Sequence, residues 1–156
     1  MNRRSRAKGG AAGEAGPLPP ARPYLVAWAA MIAGVAAQQN LRVASAVQDL
    51  SWRHTLQVVA ESTSMIFVGV TAVMLTVYLI DAQLPPRPSR LAARGFGMLV
   101  AAALAGMLVH GLPAAEPVAV QYHLASSRSA LILYATWQYA ALGLLASLCI
   151  DYWCRH

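Results

Sequence analysis

The chain has 156 residues, of which 58% are hydrophobic and 12% charged, and its mean hydropathy is +0.48. Soluble domains carry about 25% charged residues, so this composition excludes an ordinary soluble enzyme and also a disordered chain. The net charge of +6 does not indicate a nucleic-acid partner, because the basic residues flank long apolar blocks and form no separate soluble domain. The expected partner is a lipid bilayer.

The N-terminal part combines a basic tail with the first apolar block. Residues 1–23 are rich in Gly, Pro and Ala and hold five basic residues, which is typical of a disordered cytoplasmic tail. We expect the first membrane helix over residues 24–47, with Tyr24 and Trp28 at the membrane interface. A cleaved signal peptide ending at residues 35–37 is the alternative interpretation. The long proline-rich tail favours the uncleaved helix, and N-terminal sequencing distinguishes the two.

The second apolar block is the clearest membrane span. It has nineteen uncharged residues between Glu61 and Asp81. At about 1.5 Å per helical residue, this run covers roughly the ~30 Å hydrocarbon core of a bilayer. We expect a helix over residues 52–81, ended by the proline-rich segment that follows. Asp81 is expected to be a solvated boundary residue with Arg87 nearby.

Two more helices are predicted, over residues 90–110 and 127–151, with a loop over residues 112–125 between them. The predicted fold is therefore an all-α integral membrane protein, a bundle of four transmembrane helices with short loops over residues 24–153. Small residues spaced four apart are expected to let the helices pack closely inside the bundle. They are Ala29, Ala33 and Ala37 in the first helix; Gly97, Ala101 and Ala105, with Ala102 and Gly106, in the third; and Gly143 and Ser147 in the fourth.

The distribution of basic residues predicts the orientation. Nine of the twelve Lys and Arg residues fall in the N-terminal tail, the connector between the second and third helices, and the C-terminal end. The remaining three are Arg42, Arg53 and Arg128, on the opposite side. Cytoplasmic segments carry the excess of Lys and Arg, so both termini are expected in the cytoplasm, with a bacterial inner membrane as the expected location.

Polar residues within the membrane zone gather at the outward ends of the predicted helices. We expect a cavity there that admits a small ligand, with the ionisable Glu61 and His110 as its titratable members. Gln138 is the deepest strong polar group, roughly 13 Å from Ser129 by helical rise. The alternative is that Glu61 and His110 face water while the amides bond between helices. The candidate ligand-binding residues are Gln38, Asn40, Glu61, His110, Tyr134 and Gln138.

The sequence gives no indication of a catalytic or metal site. Its four histidines are scattered and form no HxxxH pair, so no metal ion or other cofactor is expected. Cys149 and Cys154 match no metal or redox spacing and are expected to be reduced thiols. No G-x-S-x-G motif or Ser/His/Asp arrangement is present. We therefore expect a protein without catalytic residues.

Two classes of function fit these observations. The first is a non-catalytic sensory or interaction module, whose outward polar ends detect a signal that the helices transmit inward. Its layout is similar in outline to the membrane portions of bacterial multi-span sensors, an analogy of architecture alone. Its expected partners are a second copy of the chain or a separate output protein. The second class is a small permease or transporter subunit, for which the aliphatic inner halves of the helices offer no polar route.

Overall fold

The computed structural model describes residues 18–46, 51–85, 88–111 and 126–155, and every regular element within them is helical. The prediction of an all-α chain is confirmed. The helices are α1 (Ala21–Ala46), α2 (Trp52–Gln83), α3 (Pro88–Gly106) and α4 (Arg128–Arg155), and a π-helical segment (Met107–Gly111) extends α3. Predictions for the following parts lie outside the described residues: most of the basic tail (1–17), Arg87 and the loop 112–125.

Three of these helices are long and apolar enough to cross a membrane. They are α2, α3 with its π-helical segment, and α4. Among the described helices α1 is the exception: its apolar residues 24–37 are followed by the amides Gln38, Gln39 and Asn40. Three candidate spans are thus established on length and composition.

The helices α2 and α4 form the centre of the bundle, because each packs against all three other helices. The core between α2, α3 and α4 includes Val70, Val73 and Val77 of α2 and Met98 of α3, all nearly fully buried. One end of the bundle holds the starts of α1 and α3 and the ends of α2 and α4, and is called here the Arg94 end. The opposite end is called the Gln138 end.

Close approach between helices depends on glycine. A Cβ atom added at Gly143 of α4 would lie 2.4 Å from Cγ1 of Val73 and 2.7 Å from Sδ of Met98. A Cβ at Gly69 of α2 would lie 2.9 Å from the ring of Tyr139. The prediction that Gly143 and Ser147 face the bundle interior is confirmed, since both are buried. Backbone contact of this kind lets helices associate where lipid removes the hydrophobic drive.

The predicted packing face of α1 is wrong. Ala29, Ala33 and Ala37 are exposed, and α1 instead buries Tyr24, Met31 and Val35. The larger side chains of the buried face reach across to α2, so the alanines are turned outward. Residues 21–23 also belong to α1, although the sequence placed them in the tail.

Candidate functional site

A buried cluster of charged side chains lies at the Arg94 end. The side chain of Arg94 is 2% exposed. Its Nε and Nη2 donate hydrogen bonds to Oδ1 and Oδ2 of Asp81, at 2.6 and 2.5 Å. Its Nη1 and Nη2 donate to Oδ2 and Oδ1 of Asp151, at 2.8 and 2.9 Å. One guanidinium therefore makes a bidentate contact with each of two carboxylates, the strong geometry for this pair of groups.

Two further side chains complete this Arg94 cluster. The hydroxyl of Tyr24 donates to Oδ2 of Asp81 at 2.5 Å. Arg90 is held more loosely, with Nε 3.5 Å from Oδ1 of Asp81 and Nη2 3.5 Å from Oδ1 of Asp151. All four helices thus contribute a member. Two arginines balance two aspartates, which is the condition for burying such groups without an uncompensated charge.

Exposure is graded across the cluster. The side chains of Arg94 and Asp81 are 2% exposed, whereas Arg90 is 20% and Asp151 is 23% exposed. Among the described residues, no buried side-chain nitrogen or oxygen lacks a hydrogen-bond partner. The polar interior is therefore sealed around Arg94 and Asp81, and it reaches the surface through Arg90 and Asp151.

The expectation that Asp81 is a solvated boundary residue is wrong. Its side chain is enclosed, because α3 turns back along α2 and brings Arg94 against it from thirteen residues further along the chain. The sequence did contain a usable signal. In an antiparallel bundle the ends of α2 and α4 meet the start of α3. The carboxylates of Asp81 and Asp151 and the charge of Arg94 therefore fall at one level.

The predicted polar residues at the Gln138 end are joined in part. Nε2 of Gln138 donates to Oε1 of Gln38 at 3.2 Å, which links α4 to α1. Glu61 in α2 and His110 in the π-helical segment are each half-buried, and Tyr134 of α4 is exposed. The side chain of Asn40 lies outside the described part of the chain. The Gln38–Gln138 contact is the interhelical amide bonding expected under the alternative to a ligand cavity.

A further hydrogen bond of α1, made by Trp28, was not predicted from the sequence. Nε1 of Trp28 donates to Oγ1 of Thr71 in α2 at 3.0 Å. The same indole packs edge-to-face against Phe67, with ring centroids 5.9 Å apart. Trp28 therefore makes a contact between α1 and α2; its expected position at the membrane interface stays a prediction.

A tightly packed segment separates the two polar ends. On the inner face of α4, Tyr139, Gly143 and Ser147 are buried between Gln138 and Asp151. Gly143 has no room for a Cβ atom, and Oγ of Ser147 lies 4.0 Å from Sδ of Met98. The described bundle interior at this level is therefore filled by side chains.

The described residues contain no group of three or more His, Cys, Asp or Glu side chains that could hold a metal ion. Cys149 and Cys154 are free and exposed on α4. Comparison of the chain with protein-family models, curated proteins and solved structures finds no match.

Proposed function

We propose that this chain is a non-catalytic membrane module that senses or binds at its Gln138 end and transmits the event to its Arg94 end. The observation that carries the proposal is the packed interior between two polar ends. A polar group at each end without a polar route between them suits transmission through helices better than passage of a solute.

The proposal includes four spans, with α1 crossing beside α2 and α4. The hydrogen bonds of Tyr24 and Gln38 connect α1 to the Arg94 end and to the Gln138 end, which supports a helix that follows the bundle from one polar end to the other. The excess of Lys and Arg in the N-terminal tail, the connector before α3 and the C-terminal end supports a cytoplasmic position for the Arg94 end and both termini. A bacterial inner membrane is the proposed location, and a second copy or an output protein is the proposed partner.

The Arg94 cluster supports transmission because it joins every helix at one point. Bidentate contacts hold both partners in a narrow range of positions. An axial shift of α4 relative to α3 therefore changes the contact between Arg94 and Asp151, and a shift of α1 changes the contact of Tyr24 with Asp81. Packed interfaces of this kind switch between discrete arrangements.

At the Gln138 end, the proposed binding residues remain those named from the sequence, with Glu61 and His110 as the ionisable members. Both side chains are half-buried, so each can contact a bound ligand and the neighbouring helices at the same time. If Glu61→Gln and His110→Ala each left the response to a bound ligand unchanged, these two residues would be removed from the proposal.

A small permease subunit is the second candidate. The burial of ionisable groups in an apolar bundle favours it, because such groups often mark ion or substrate pathways. A pathway through one chain would have to pass Gly143 and Ser147, where the interior is filled. A permease would therefore need a route between copies of the chain, or a large rearrangement of the helices.

A thiol-accessibility scan along α4 tests the proposal. With Cys149 and Cys154 replaced by serine, single cysteines are introduced at Tyr134, Gln138, Ala140 or Ser147. The protein in membranes is then treated with an impermeant maleimide, with a denatured sample as the control for reactivity. We expect labelling at Tyr134 and Gln138 and protection at the other two. A continuous labelled stripe would favour the permease and overturn the module.

A further inference from the structure

The helix α1 is held to the bundle differently from the other three helices. It is the one described α-helix that is not among the three candidate membrane spans, and three polar side chains make its described hydrogen bonds to other helices. They are Tyr24 with Asp81 at 2.5 Å, Trp28 with Thr71 at 3.0 Å, and Gln38 with Gln138 at 3.2 Å. These three bonds, called here the α1 tethers, lie along one face of α1 together with the buried Met31 and Val35.

The Arg94 contacts and the tightest glycine positions join α2, α3 and α4 to one another and do not include α1. All four hydrogen bonds of Arg94 go to carboxylates of α2 and α4. The described glycines at which an added Cβ atom would lie less than 3 Å from another helix are Gly69, Gly97 and Gly143, and the atoms it would meet belong to α2, α3 or α4. By contrast, a Cβ atom added at Gly34 of α1 would meet nothing within 4 Å.

Packing and hydrogen bonds decide which helices stay together in a bilayer, because lipid removes the hydrophobic drive between them. We propose that α1 is a separately docked helix, which leaves and rejoins a self-sufficient α2–α4 unit while the contacts of Arg94 with Asp81 and Asp151 persist. Undocking frees Gln138 at one end and the Tyr24 side of Asp81 at the other, so it links the two ends. Its role in signalling rests on the proposed function, but the undocking itself is measured without any signal.

Distances between spin labels test this in the full-length protein in lipid nanodiscs. In the chain lacking Cys149 and Cys154, one pair of labels joins Ala33 of α1 to Leu145 of α4. A second pair joins Leu75 of α2 to Leu145. All three positions are exposed, so the labels do not enter the core. Pulsed electron–electron double resonance then gives both distance distributions.

Two variants each remove one tether: Thr71→Val and Tyr24→Phe. Loss of one hydrogen bond should shift the ratio of docked to undocked α1 by roughly three- to tenfold. We expect a second, longer distance to grow in the α1–α4 pair, with the α2–α4 pair unchanged. The matched control is Thr76→Val, since the hydroxyl of Thr76 bonds only the carbonyl oxygen of Ala72 in its own helix.

Three outcomes would overturn the inference: both pairs broadening together, neither pair changing in either tether variant, or Thr76→Val acting as strongly as Thr71→Val. Failure of the proposed function is a separate result. A labelled stripe along α4 would remove the signalling module without altering these distances, whereas a fixed α1 would leave the thiol scan unchanged.

Discussion

Arg94 donates two hydrogen bonds to Asp81, at 2.6 and 2.5 Å, and both side chains are 2% exposed. The two residues come from consecutive helices, so the contact fixes α2 against α3 at the Arg94 end. Replacing either residue with a neutral one leaves the charge of the other buried without its closest counter-charge. The consequences are larger than for a surface ion pair.

Replacing Arg94 with Met should destabilise the protein by about 3–5 kcal/mol, because two carboxylates lose their bidentate partner in a buried site. The matched control is Arg90→Met. Arg90 contacts the same carboxylates at 3.5 Å and is 20% exposed, so its loss should cost less. Unfolding of the purified variants in mild detergent, followed by circular dichroism, measures both. Equal destabilisation would contradict the assignment of Arg94 as the centre of the cluster.

The two aspartates should respond unequally to conversion into asparagine. Asp81→Asn should lower the melting temperature more than Asp151→Asn, because Asp81 is sealed and also accepts from Tyr24. Asp151 is 23% exposed, so water can solvate the groups that its loss leaves unpaired. Thermal unfolding of both variants under one condition checks the order. The reverse order would mean that the cluster is sealed on the α4 side instead.

Glycine substitutions should separate packed from open positions. Gly143→Ala places a methyl group against Val73 and Met98, and such overpacking costs about 1–3 kcal/mol. Gly34→Ala meets nothing within 4 Å and should be neutral or stabilise by up to about 1 kcal/mol through helix propensity. Thermal stability of the pair measures the difference. A harmless Gly143→Ala would show that α2 and α4 lie further apart than described.

The Gln38–Gln138 hydrogen bond should show weak but measurable coupling. A double-mutant cycle with Gln38→Ala and Gln138→Ala is expected to give about 0.6 kcal/mol, the average for interhelical hydrogen bonds in a membrane protein. The measurement is the unfolding free energy of the two single variants, the double variant and the parent. Strictly additive effects would argue that α1 and α4 are not joined at this level.

The helices themselves could be predicted from the sequence because long apolar runs bounded by charge or proline leave few other solutions. The face that each helix buries was harder. Gly143 and Ser147 were placed correctly from the spacing of small residues, and both are buried. The alanines of α1 were not, because Ala29 and Ala33 fit a packed and an outward face equally well.

The Arg94 cluster was not predicted, for a physical reason. Asp81 was assigned to the solvated boundary of the membrane, with Arg87 nearby in the sequence. Its actual partner comes from the next helix, and the second carboxylate, Asp151, follows seventy residues after Asp81. The antiparallel arrangement implied by the predicted spans brings these groups to one level, but which of the charged side chains there turn inward depends on how the helices are rotated against one another.

A single cysteine at Ser147 tests whether the bundle interior is closed between its two polar ends. Ser147 is fully buried on the inner face of α4, one helical turn from Asp151. In the background without Cys149 and Cys154, an impermeant maleimide is applied to each side of the membrane in turn. If the interior is closed, Ser147→Cys stays unlabelled from both sides and reacts after denaturation. Labelling of the folded protein from both sides would mean that the interior is open.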